Sequence, residues 1–228
     1  MKFIKSAAFA ATAAAAVLAA GAASAQDPEV AFNIGVTSDY VFRGFSQTDE
    51  GVAFQGGVDA TLGSFYVGAW ASNVEFGDDT DGEIDLYGGY RTEAAGYALD
   101  FGIVGYFYPG EPGAADYTYY ELKAAASRAV GPATIGAVVF YSPDFFGTAD
   151  EEAVYYEGNI AFAVSDKWSV SAALGHQALD VSDDYTTWNI GAGYALTDEA
   201  VLDFRYHDTD VDTPLSEDRF VASLKIGF

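Results

Sequence analysis

An alternation of apolar and polar residues recurs along this chain in stretches of about ten, and it limits the fold more than any other feature. Successive side chains of a strand point to opposite faces, so such a stretch is apolar on one side and polar on the other. Tyr97, Leu99, Phe101, Ile103 and Phe107 share a face opposite Ala98, Asp100 and Gly102. Trp188, Ile190, Ala192, Tyr194 and Leu196 stand against Thr187, Asn189 and Gly191, and Leu202, Phe204 and Tyr206 against Asp203, Arg205 and His207. The pattern predicts strands near 29–38, 51–62, 64–74, 83–92, 96–108, 116–128, 131–142, 151–164, 167–178, 184–196, 199–208 and 217–228. Short turns at Gly63, Glu93–Ala95, Val130-Gly131, Ser165-Asp166 and Thr197-Asp198 alternate with longer loops at 39–50, 75–82, 109–115, 143–150, 179–183 and 209–216. A sandwich has no reason to sort its connections by length. A single antiparallel transmembrane β-barrel of about 12 strands does, with both termini on the short-turn, periplasmic side.

Composition agrees. Met1–Ala25 carries Lys2 and Lys5, an Ala-rich apolar centre and an Ala23-Ser24-Ala25 site, the layout of a cleaved signal peptide, which leaves 26–228 as the barrel. Of 10 Lys and Arg, those two leave with it, so eight face 34 acidic residues, a balance of −26. That excludes a nucleic-acid partner held through its phosphates. No Cys is present, so disulfides and thiolate metal sites are excluded too. Aromatic residues near strand ends (Tyr40, Phe42, Trp70, Tyr106, Tyr108, Tyr117, Tyr119, Tyr120, Phe140, Tyr141, Tyr155, Tyr156, Trp168 and Trp188) fit interfacial girdles or, singly, cross-strand packing.

With the apolar face on lipid, the polar face lines the interior. That places Asp59, Glu83, Asp85, Tyr87, Arg91, Asp100, Glu121, Lys123, Glu157, Asp203, Arg205 and Lys225 inside, with Asn33, Gln55, Asn159, Gln177 and Asn189. They either line a narrow wet pore or pair across strands as a plug; twelve strands lie between the roughly 8 that fill with side chains and the roughly 16 that leave a wide channel. Arg43 is a candidate constriction residue in a loop folded into the mouth, or a counter-ion for Asp39 and Asp49. The loops are acidic, which suggests a cation preference, or a surface that meets lipopolysaccharide through divalent cations. Asp79, Asp81 and Glu83 copy the middle of a calcium loop, but Gly77 and Gly88 stand at its first and closing ligand positions, so an EF-hand is refused and only a looser Ca²⁺ site is left. His176 is followed by Gln177 and Ala178, with no Ser two residues on to activate, and His207 beside Asp208 and Asp210 fits a solvated loop better than a rim protease. No enzyme is expected.

The segment Asn33-Ile34-Gly35-Val36-Thr37-Ser38-Asp39-Tyr40-Val41-Phe42-Arg43-Gly44-Phe45-Ser46-Gln47-Thr48 resembles the N-terminal hallmark of the TorF family of porin-like proteins, continuing through Glu50-Gly51 and Gln55-Gly56-Gly57-Val58-Asp59. The terminal alternation ending on Phe228 resembles the C-terminal strand that the barrel-assembly machinery reads. The resemblance implies an outer-membrane channel for passive diffusion of small hydrophilic solutes or ions. The alternative is a non-conducting structural or adhesive barrel with a plugged lumen and acidic surface loops.

Overall fold

The computed structural model describes residues 28–228; the expected signal peptide, 1–25, lies outside the described residues. The strands are β1 (Glu29–Thr37), β2 (Val41–Phe42), β3 (Phe45–Ser46), β4 (Ala53–Leu62), β5 (Phe65–Asn73), β6 (Gly82–Ala94), β7 (Tyr97–Phe107), β8 (Tyr119–Val130), β9 (Ala133–Ser142), β10 (Ala153–Ala163), β11 (Trp168–Leu179), β12 (Tyr185–Ala195), β13 (Ala200–Thr209) and β14 (Arg219–Gly227). All of them except β2 and β3 form one closed antiparallel barrel, and β2 and β3 pair only with each other. The twelve alternating stretches are thus the twelve barrel strands, with ends shifted by a few residues.

Closure is made by the two chain ends. β1 pairs with β4 on one side and with β14 on the other, in a register that sets Ile34 against Ile226. Phe32 and Phe228 exchange backbone hydrogen bonds of 2.8 and 2.9 Å, and their rings stack at 6.1 Å. No strand of the barrel wall is left with an unpaired edge, which hydrocarbon would not tolerate. Both ends of the barrel chain therefore lie at the short-turn end of the barrel.

The distribution of side chains is inverted relative to a water-soluble protein. Ile34, Val67, Leu86, Ile103, Leu122, Ile160, Leu174 and Ile190 lie exposed on the outer wall, while Glu83, Asp100, Glu121, Glu157, Asp203 and Arg205 are buried inside. Six of the eight cations beyond the expected leader (Arg43, Arg91, Lys123, Arg205, Arg219 and Lys225) lie on the inner side. The other two, Arg128 and Lys167, sit by the short turns over the rings of Tyr97 and Tyr194.

The outer wall carries two aromatic bands. Near the short turns Phe65 meets Tyr90 and Trp168 meets Tyr194; near the long loops Trp188 meets Tyr206 and Tyr206 meets Phe220. Only part of the expected girdle belongs here, however. Tyr40, Phe42, Trp70, Tyr106, Tyr108, Tyr117, Tyr119, Phe140 and Tyr155 pack inside the barrel or its loops. The reason is the period of two: neighbours such as Tyr119 and Tyr120, or Tyr155 and Tyr156, go to opposite faces, so closeness to a strand end says nothing about side.

Ile190 is 55% exposed at the centre of β12 on this outer wall. Ile190→Arg is expected to destabilise the barrel in lipid vesicles by about 2–4 kcal/mol, read by urea unfolding, with Ile190→Leu near neutral.

Candidate functional site: the lumen and its inserted hairpin

The long connection between β1 and β4 does not stay at the rim. It turns into the barrel, and β2 and β3 form a hairpin whose two-residue tip is Arg43-Gly44. Both tip residues have positive φ, 46° and 92°, the geometry that matches a tight turn to the twist of its strands. Glycine takes this freely, and a Cβ on Gly44 would collide with Thr187 and Thr209. Arginine does not take it freely, so the strain at Arg43 must be offset by what its side chain reaches.

What it reaches is the far wall. The guanidinium makes a two-pronged pair with Glu121 on β8, at 2.8 Å to Oε1 and 2.7 Å to Oε2, and donates to Gln177 Oε1 on β11 at 3.0 Å. It also lies 4.2 Å from the ring centre of Tyr155 and 4.7 Å from that of Phe42. The Arg43 and Glu121 side chains are 5% and 1% exposed. Burial works to lower the guanidinium's pKa, and the facing Glu121 with the Tyr106 and Tyr119 hydroxyls works to raise it, the balance being a rise. Planar, bidentate pairing of this kind fixes position as well as charge.

The root of the hairpin is held as firmly. Asp39 accepts from Ser46 Oγ at 2.7 Å and Thr48 Oγ1 at 3.1 Å, and pairs with Arg219 of β14 at 2.9 Å. Backbone hydrogen bonds run from Ser46 N to Leu215 O and from Glu75 N to Gln47 O, both 2.8 Å. Rings complete the seat: Tyr40 against Trp70, Phe42 against Tyr106, Phe45 against Tyr185. Tyr106, Tyr108, Tyr119, Phe140 and Tyr155 are buried around it. The loop-side half of the lumen is filled. Arg43 is therefore not the counter-ion of Asp39 or Asp49 that its position in sequence suggests; Arg219 serves Asp39, and Arg43 serves Glu121.

The short-turn half is different. Asp100 accepts from Lys123 at 2.8 Å and from Tyr66 at 2.7 Å, with Arg91 at 3.5 Å. Tyr87 donates to Asp59 at 2.8 Å, and Lys225 faces the same region. Higher on the wall Arg205 binds Asp203, Asn189 and Ser171 at 3.1, 2.6 and 2.8 Å, and Glu157 accepts from Tyr155 and Asn159. Asp59, Arg91 and Lys123 are only half-buried. This half is a polar vestibule in which cations and carboxylates are matched.

All the inward residues expected from the alternation face the lumen, Glu83 and Asp85 among them. The looser Ca²⁺ site does not assemble as drawn. Asp79 and Asp81 are exposed in the loop while Glu83 is buried toward Tyr40, and among the described residues no three Asp, Glu or His converge as a metal cage. His207 is not in a loop either: it is buried on β13 across from Arg219. What sequence reasoning missed was the hairpin itself; the only signals were Arg43-Gly44 and the apolar Val41-Phe42 and Phe45 flanking it.

The closed twelve-stranded barrel with its apolar exterior and charged interior is similar in fold to solved outer-membrane porins and channels. The KdgM porin superposes with a TM-score of 0.61 at 6% identity, covering 87% of this chain and 98% of that one. The NanC porin gives 0.57 at 11%, covering 88% and 99%. An outer membrane channel from Pseudomonas putida gives 0.53 at 12%, covering 87% and 94%. At such identities the likeness is one of fold. No curated protein matches in sequence. A family profile described as a bacterial protein of unknown function (Gcw_chp) matches residues 19–225, and the chain belongs to that family.

Arg43→Gln leaves the Glu121 carboxylate buried without its cation, and a loss of about 3–5 kcal/mol is expected in detergent unfolding. Adding Glu121→Gln recovers a large part of that loss, because the stranded charge is gone. Equal losses from the single and the double variant would show that the pair does not hold the hairpin.

Proposed function

We propose that this protein is a narrow outer-membrane channel for passive diffusion of small hydrophilic solutes or ions, with the inserted hairpin and Arg43 as its constriction. The observation that carries this reading is the two-part lumen: a polar, half-solvated vestibule on the short-turn side that ends against a single hairpin, rather than a core packed from end to end. The short-turn side would face the periplasm, after export by the leader and insertion by the barrel-assembly machinery. The TorF-like stretch supports the same reading, since its residues are the ones that build the constriction. Candidate pore-lining groups are Asp59, Glu83, Asp85, Arg91, Asp100, Glu121, Lys123, Glu157, Asp203, Arg205 and Lys225.

Cation preference is part of the proposal. Its support is the exposed carboxylates of the long loops, such as Asp79, Asp81, Asp150, Asp180 and Asp210, which give the mouth one sign and concentrate cations there. Lipopolysaccharide bridged through divalent ions would meet the same loops.

The pairing of Arg43 with Glu121, Arg205 with Asp203 and Arg219 with Asp39 favours the second reading, a barrel whose lumen is plugged for structural reasons and whose work is done by its loops. Planar-bilayer recording across a KCl gradient separates the two. The channel reading expects small discrete steps with a cation-selective reversal potential, and a several-fold larger conductance once residues 41–46 are deleted. Wild-type and hairpin-deleted barrels that both insert and never conduct would sink it in favour of the plug.

A further inference from the structure

The largest unbalanced charge in the lumen lies beside the hairpin, on β6. Glu83 and Asp85 are two residues apart and both point inward. Glu83 is 2% exposed. Tyr40 donates to its Oε1 at 3.1 Å, and Tyr108 also faces it. Glu83 Oε2 and Asp85 Oδ1 are buried with no donor at all. Every lumenal cation is engaged elsewhere: Arg43 with Glu121, Arg91 and Lys123 with Asp100, Arg205 with Asp203, Arg219 with Asp39, and Lys225 beside Asp59. Glu121 lies close enough to add repulsion at Asp85. Burial pushes the Tyr40 and Tyr108 phenols well above their usual range, so both stay neutral.

Two carboxylates, each with a buried oxygen that has given up its hydration without a donor in exchange, and with no cation of their own, are costly. We propose that Glu83 and Asp85 bind one hard divalent cation, Ca²⁺ or Mg²⁺, at the root of the hairpin. Two negative charges match the ion's two positive ones, and every donor nearby is oxygen: Glu83 Oε2, Asp85 Oδ1 and the hydroxyls of Tyr40 and Tyr108. Val74, Tyr106 and Tyr108 belong to one buried cluster with Tyr40 packed against it, and the hydroxyls of Tyr40 and Tyr108 both reach Glu83, while water would complete the ion's shell. Two carboxylates are fewer than a permanent metal cage would use, so the ion exchanges. Because Tyr40 belongs to the hairpin's own stem, the bound ion ties the hairpin to β6 as Arg43 ties it to β8.

The inference rests on the inward face of the barrel and not on conduction, so it is tested without a bilayer. The mature chain is refolded in detergent free of lipopolysaccharide and stripped with EDTA. Its unfolding midpoint is then followed in millimolar CaCl₂ or MgCl₂, against KCl of equal ionic strength. A saturable rise of several degrees is expected in the wild type and in the exposed-loop variant D79N/D81N, with none in E83Q/D85N. Isothermal titration of wild type and D79N/D81N with CaCl₂ is expected to show one common site, which keeps the test decisive should E83Q/D85N fail to fold. A wild-type midpoint indifferent to divalent ions overturns the proposal and leaves the pair holding a shared proton. A rise that persists in E83Q/D85N, or a site lost in D79N/D81N, overturns it in favour of the loops.

Discussion

Everything in this barrel follows from the seam between β1 and β14. Backbone groups facing hydrocarbon have no water to bond to, so a sheet can cross a membrane only by closing on itself. Closure fixes which residues face out, because register and the period of two then hold for all twelve barrel strands at once. The hydrogen bonds between Phe32 and Phe228 sit at that seam, and a slip of one residue there would turn Lys225 outward and Ile226 inward. The chain's few cations make the constraint severe. Among the described residues, Arg43, Arg91, Lys123, Arg205, Arg219 and Lys225 lie on the inner side, where carboxylates await them, and only Arg128 and Lys167 sit outside, close to the short turns.

Inward charge creates a second problem, which the hairpin solves on the loop side. Glu121 is all but sealed off at 1% exposure, and its nearest strand neighbours offer it Tyr106 but no cation. The partner comes from 78 residues earlier in the chain, at the tip of the turn. This explains why a residue poorly suited to positive φ occupies the first tip position. An Asn or Gly there would relieve the turn and leave Glu121 stranded, and stranding a buried charge costs more than the strain. On the short-turn side no such insertion is needed. Lys123 and Arg91 already meet Asp100 from neighbouring strands.

The barrel was legible because its evidence is local and repeated. Each strand declares its two faces within ten residues, and a misjudged end changes little when the alternation is right. The inward set from Asp59 to Lys225 was legible for the same reason: sidedness follows from parity alone. Partnership was not. Arg43 with Glu121, or Arg219 with Asp39, joins residues 78 and 180 positions apart, and nothing in the alternation says how deep a loop descends or which wall it meets. Neighbours in sequence misled instead, which is how Arg43 was matched with Asp39 and how inward rings such as Trp70 and Tyr106 were read as girdle. The Asp79–Glu83 run failed likewise, since a strand begins at Gly82 and carries Glu83 away from the loop carboxylates.

The wall and the hairpin are held by different kinds of force. Barrel strands are locked by continuous backbone ladders whose rupture in hydrocarbon has no substitute partner. The hairpin is held by one ion pair at its tip, one at its root, a few backbone hydrogen bonds and ring contacts, and its two ion pairs are almost wholly buried. Those contacts are few and separate, whereas the ladder is continuous around the barrel. The charges that position the hairpin, Arg43 with Glu121 and Arg219 with Asp39, are therefore also the ones that set how tightly the loop-side lumen is filled.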